Sequence, residues 1–169
     1  QSIKPSRLIQ RRRGLYSADM AGEPPRAAEA LFTADLVLVD GQAKRDWAIL
    51  VERGVIKASG PRKDLDRPDV RIVGFPGRAL LPGCVNAHAH SFHSLLRGFG
   101  DDLSFEKWRA SLFKLAAPLG PDQIYIGALF AFAEMLLHGT TTVCDFFYLQ
   151  GGGNDSARAV IRAARDLGI

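Results

Sequence analysis

Cysteine is scarce: two in 169 residues, Cys84 and Cys144, sixty positions apart with no CxxC partner. That excludes a disulfide scaffold and an all-cysteine zinc site, and it makes a reducing compartment, the cytoplasm, the expected location. No apolar run approaches the roughly 20 residues that a bilayer demands. The longest, 124–137, covers fourteen residues and is interrupted by Tyr125, Gly127 and Glu134, so no membrane partner is expected. Neither GxGxxG nor GK(S/T) occurs, so Gly151-Gly152-Gly153 reads as a flexible loop before a helix and not as a phosphate cradle. Charge of one sign is also missing from most of the chain. Residues 1–30 hold six basic groups (Lys4, Arg7, Arg11, Arg12, Arg13, Arg26) against three acids (Asp19, Glu23, Glu29), which is +3 of the net +4. The body is nearly neutral, and a nucleic-acid partner, resting on Arg11 to Arg13 alone, is not expected.

What is present is an ordinary globular composition, 47% apolar and 24% charged, enough to build a core without staples. Residues 1–30, with the arginine triplet and Pro24-Pro25, read as a basic flexible arm. Residues 31–78 read as a β-rich unit. Leu31 to Asp40 and Trp47 to Ile56 are alternating, β-branched runs that suit antiparallel strands, a short strand covers Val70 to Val73, and Phe75-Pro76-Gly77 turns the chain. From Ala79 the grammar changes to an apolar strand (ALLPGCVNAHAH), helical stretches, a second strand (Thr140 to Phe147) and an amphipathic helix from Ser156 to Leu167. Asn154 to Ser156 offer caps for that helix and Gly168 stands at its end. Strand and helix in alternation imply parallel βα units. Two parallel strands leave an open edge, so the chain is expected to be the N-terminal part of a longer protein or to be completed by a second polypeptide.

Three of the four histidines lie in Ala87-His88-Ala89-His90-Ser91-Phe92-His93. On a strand from Cys84 to His90, side chains alternate, so His88 and His90 share a face with Asn86 and Cys84, while Val85, Ala87 and Ala89 face the other way. Two imidazoles stacked on one face can hold one metal ion, and neutral imidazole suits zinc and other late first-row metals. His138 reads as a cap on the last turn of the helix that ends at Leu137. Glu134 reads as a buried, hydrogen-bonded structural residue, and Asp145 either orients a metal ligand or satisfies loop amides.

The run Ala79 to Gly98 (ALLPGCVNAHAHSFHSLLRG) followed by Glu134 to Phe147 (EMLLHGTTTVCDFF) resembles the deaminase and chlorohydrolase branch of the amidohydrolase superfamily. The resemblance extends over Leu31 to Ile169. It implies an α/β fold, a partial (β/α)8 TIM barrel consisting of the first two βα units, preceded by the N-terminal part of a small β-sandwich. It implies one divalent metal, usually zinc, held by His88 and His90 together with a histidine and an aspartate from later strands, beyond Ile169. Metal-lowered acidity of water would then supply a hydroxide that attacks an amidine-like or ring carbon and expels ammonia or another leaving group. No residue of this stretch matches the family's proton shuttles, so water activation begins here and is completed elsewhere.

Phe105 to Phe113 (FEKWRASLF) and Cys144 to Gln150 (CDFFYLQ) resemble formimidoylglutamate deiminases. Arg109 and Tyr148 there match groups that hold an acidic small-molecule substrate, and a guanidinium suits a carboxylate. That group carries glutamine where this sequence has His93, which stands as a pocket residue. Ser94 to Leu103 (SLLRGFGDDL), with Trp108, is more similar to adenosine-type and triazine-type enzymes. Arg109 and Lys107 can equally be the solvated side of a helix whose Trp108, Leu112 and Phe113 face the core. The enzyme reading competes with a non-catalytic one, in which the chain is a subunit of a split barrel or a degenerate binding module. A homo-oligomer is expected.

Overall fold

The computed structural model describes residues 29–149, 151 and 153–169. The basic arm expected at 1–30 thus falls, but for its last two residues, outside the described residues. The chain separates between Pro82 and Gly83 into two compact units.

The first unit is a five-stranded mixed sheet built on β1 (Ala30–Val39). One edge of β1 pairs antiparallel with β2 (Gln42–Lys44) and β3 (Trp47–Glu52), and the other takes β5 (Arg71–Leu80) in parallel. β4 (Val55–Pro61) pairs with β3, and one helical turn, α1 (Arg62–Leu65), follows it. Two turns set this meander. Asp40-Gly41 and Arg53-Gly54 each place both central residues at positive φ (51° and 72°, 51° and 77°). A two-residue hairpin loop favours this conformation because it matches strand twist, and glycine adopts it without strain. Strand alternation then builds the core. Leu31 and Thr33 are buried on one face opposite Leu50 and Ala48, with Val70 beside them, while Phe32 stacks on Phe75 across the other face, centroids 6.4 Å apart.

Here the structure corrects three expectations. The run Trp47 to Ile56 is two strands, because Arg53-Gly54 reverses the chain. The linker 41–46 contains β2, which a three-residue strand is too short to announce. Phe75-Pro76-Gly77 does not end its strand: β5 runs through it with a bulge, Ala34 facing Phe75 and Leu36 facing Ala79. Proline is tolerated there because, among the described residues, β5 pairs with β1 alone, so the missing N–H is one that the ladder does not need.

The second unit alternates strand and helix: β6 (Cys84–Ala89), a 3-10 helix (Ser91–Leu96), α2 (Phe105–Ala116), α3 (Pro121–Leu137), β7 (Thr140–Asp145) and α4 (Asp155–Leu167). β6 and β7 are parallel, as the alternation implies. The strand expected from Ala79 is interrupted at 81–83. Ala79 and Leu80 close β5, and β6 starts at Cys84, whose N–H donates to Gly139 O at 2.8 Å. α4 begins at Asp155 and ends where Gly168 turns left-handed (φ 76°), its N–H donating to Ala164 O. Phe92, Leu112, Ala116, Ile124, Ala128, Phe132, Ala159 and Ala163 belong to one buried cluster, against which Val143 of β7 and Phe147 and Tyr148 just beyond it pack. No helix of the described residues is long and apolar enough to cross a membrane.

Candidate metal centre

The face-sharing expected of His88 and His90 is realised: their Nε2 atoms lie 3.1 Å apart and their rings meet edge to face. Two zinc–imidazole bonds of about 2.0–2.1 Å, opening at about 90–110°, set their nitrogens about 2.9–3.4 Å apart, so the pair fits one ion. The donor chemistry agrees. His90 Nδ1 lies 2.7 Å from Phe146 O, a partner that can only accept, so Nδ1 carries the proton and Nε2 offers its lone pair. No group of three or more His, Cys, Asp and Glu suited to a metal occurs among the described residues. The two histidines are half of an ordinary zinc set.

Local chain geometry produces this convergence. Asn86 faces Val143 and Ala89 faces Asp145, so β6 spends one residue more than β7 over this interval. Such a bulge re-aims side chains at a strand end. Asn86 Oδ1 accepts the His88 N–H at 3.2 Å within the bulge. Of the residues on the opposite face, Ala89 is buried while Val85 and Ala87 remain exposed. The strand end is then clamped by β7: Phe146 N–H donates to Ala89 O at 2.6 Å, and Asp145 accepts from both the N–H and the Oγ–H of Ser91, each at 2.7 Å. Asp145 therefore satisfies a loop amide and holds the residue beside His90. It bonds neither histidine directly.

A cavity of about 560 Å³ opens over the pair, lined by His88, His90, His93, Phe105, Trp108, Arg109, Leu112, Phe113, Phe146 and Tyr148. All five residues singled out in the sequence meet there. Tyr148 Oη lies 2.5 Å from His93 Nε2, and the His93 ring packs edge-on against Phe92, Trp108 and Tyr148. Burial, with His90 beside it, pushes the His93 imidazole from 6.5 down to about 4, so the ring is neutral near pH 7. Burial also raises the Tyr148 phenol above 10, with Arg109 pulling the other way. Arg109 is exposed and lays its guanidinium over Phe113, 5.4 Å from the ring centroid. Both readings of that helix are partly realised: Leu112 is buried in the core, but Phe113 is exposed toward the cavity.

Sequence reasoning overlooked Ser91, the Phe146 carbonyl and the aromatic walls Phe105 and Phe146. Of these only the aromatics carry a signal, their crowding at 105–113 and 146–148. Glu134 is not buried as expected. It makes a two-pronged ion pair with Arg97, which holds its carboxyl below the usual range. His138 caps α3 through Nδ1 and the Glu134 carbonyl, 2.8 Å apart.

The chain belongs to the amidohydrolase family, whose family model matches residues 79–169. Among curated proteins it is 36% identical over 138 residues to a 5-methylthioadenosine/S-adenosylhomocysteine deaminase of Syntrophobacter fumaroxidans, covering 75% of this chain and 32% of the relative. Among solved structures it is similar to a zinc-bound adenosine deaminase of Xanthomonas campestris (TM-score 0.64, 30% identity, 85% of this chain and 33% of that one). It is also similar to the atrazine chlorohydrolase of Arthrobacter aurescens TC1 complexed with zinc (TM-score 0.73, 28% identity, 83% and 34%). The chain thus spans about a third of the length of the proteins it matches.

Proposed function

We propose that residues 83–169 supply the first two βα units of a (β/α)8 barrel, and the sheet from Ala30 to Leu80 the N-terminal share of a β-sandwich, in a zinc-dependent deaminase of an aminated purine nucleoside. The remaining barrel strands come from the same or a second polypeptide, and the enzyme works in the cytoplasm, where the exposed, unpaired Cys84 and Cys144 stay reduced. The observation that carries the reading is the His88–His90 pair, two Nε2 atoms 3.1 Å apart with the tautomer of one fixed by a carbonyl. A divalent ion there supplies acidified water near neutral pH. The other roles fall to this chain. Phe146 and Asp145 hold the strand end that presents the histidines. Phe105, Trp108 and Phe113 flank a flat ring and exclude water from it. His93 and Tyr148 form a polar wall beside His90, and Arg109 stands at the exposed rim, where an acidic group of a substrate would pair with it.

The test is metal content and ammonia release by the full-length protein. The expected result is one zinc per chain and ammonia from 5'-methylthioadenosine, both abolished in the His88→Ala, His90→Ala double variant. Unchanged metal content in that variant would overturn the assignment, and ammonia release from none of the aminated nucleosides would overturn the activity.

A further inference from the structure

A tyrosine hydroxyl can give one hydrogen and accept two, so what it reads in a ligand depends on where its own hydrogen is spent. Among the described residues the Tyr148 hydroxyl has one hydrogen-bond partner, the Nε2 of His93, at 2.5 Å. A phenol is a much stronger acid than a neutral imidazole N–H, and an imidazole nitrogen is a stronger acceptor than a phenol oxygen. In a neutral pair the hydrogen bond therefore runs from Tyr148 to His93. The geometry keeps this arrangement in place. His93 is seated against Phe92, Trp108 and Tyr148, and Tyr148 packs on Phe92, Phe113 and Phe146, so neither ring is free to turn away. Tyr148 also stands 5.0 Å, centroid to centroid, from His90, alongside the proposed ligand pair, where the bond to be cleaved must lie.

Resting on the deaminase reading above, we infer that Tyr148, its hydrogen held by His93, presents only lone pairs to the cavity and so selects a substrate carrying an N–H donor at the reacting centre. A carboxylate or carbonyl oxygen in that place meets oxygen lone pairs and is disfavoured. The arrangement accepts an amino or amidine nitrogen at the reacting centre, and an acidic group of the same substrate has to be met elsewhere, at Arg109. It also distinguishes substrate from product. The amino group donates, whereas the carbonyl that replaces it cannot, so the same hydroxyl that welcomes the substrate loosens the product.

Two measurements on the full-length zinc enzyme test this. Nitrogen NMR of histidine-labelled protein at pH 8, with His93→Gln to assign the signal, reads the tautomer directly. Nδ1 protonated and Nε2 bare is expected, and a protonated Nε2 would overturn the inference whatever the ligand. The second measurement compares KM for 5'-methylthioadenosine with the inhibition constant of its product, 5'-methylthioinosine. His93→Leu and Tyr148→Phe are each expected to narrow the preference for the amino compound by about 3- to 10-fold, the span of one net hydrogen bond. His93→Gln, whose amide oxygen accepts the same hydrogen, keeps the preference. An unchanged preference in His93→Leu overturns the role of His93, and an unchanged preference in Tyr148→Phe overturns the role of Tyr148. A wild-type enzyme that releases ammonia from no aminated nucleoside rejects the deaminase reading, while the tautomer still decides the His93–Tyr148 bond on its own.

Discussion

The carboxylate of Asp145 accepts two hydrogen bonds from Ser91, and Ser91 is the residue next to His90, almost fully buried at 2% exposure. A carboxylate so placed governs a metal ligand through the backbone and not by touching its ring. Asp145→Asn keeps one acceptor oxygen for the two donors, and Asp145→Ala keeps none. Loss of outer partners typically lowers metal affinity by about 10- to 100-fold. The asparagine variant is expected near the lower end and the alanine variant near the upper, measured by competition with a zinc-binding dye, with far-UV circular dichroism retained. Unchanged affinity in both would show that Asp145 serves the loop alone. At this scale the sequence was informative only where a side chain acts on a near neighbour. His88 and His90 could be paired from strand periodicity because they are two residues apart. The Ser91–Asp145 and His93–Tyr148 contacts span more than fifty residues, and nothing local in either segment signals the other.

At the scale of elements, two contacts invite tests. Gly83 precedes β6 so closely beside β7 that a Cβ there would sit 2.0 Å from Thr141 Oγ1 and 2.8 Å from Thr141 Cβ. Threonine is stiff at χ1, so the strand itself has to shift. Gly83→Ala is expected to destabilise by about 1–3 kcal/mol, the usual cost of overpacking, read from urea denaturation. The seam between α3 and α4 carries a Tyr125 hydroxyl that donates to Asp166 Oδ2 at 2.5 Å, with Arg162 over the ring. That hydrogen bond is the main cause raising the Tyr125 phenol above 10, with burial adding to it. A raised phenol pKa means that the folded state favours the protonated form. Its contribution is complete below the unfolded value near 10 and is lost as pH rises through the folded value. Asp166→Asn should therefore bring forward one tyrosinate absorbance step to lower pH, and Tyr148→Phe leaves that step in place. Element types were mostly readable, since β1, β7 and α4 announce themselves by period and caps. β5 was not, because a proline looks like a break until the strand is known to have a free edge, and β2 was not, because three residues show no period.

For the whole molecule, the chain offers one probe in each unit: its two tryptophans are Trp47 in β3 and Trp108 in α2. Trp108 lines the cavity above the histidine pair, its ring 5.7 Å from that of His93, whereas Trp47 belongs to the five-stranded sheet and donates its indole N–H to Ser59. An ion that binds the folded histidine pair but not the unfolded chain stabilises the fold by mass action, by about 2.7 kcal/mol at a hundred times the dissociation constant. That stabilisation belongs to the unit that holds His88 and His90. With Trp47→Phe, so that Trp108 alone reports, added zinc should raise the unfolding midpoint, and chelation should return it. With Trp108→Phe, so that Trp47 alone reports, the shift should be smaller, because the histidine pair lies in the other unit. In the His88→Ala, His90→Ala background the Trp108 midpoint should no longer respond. A response that persists without both imidazoles would place the ion elsewhere and remove the physical basis for a metal centre at this strand end.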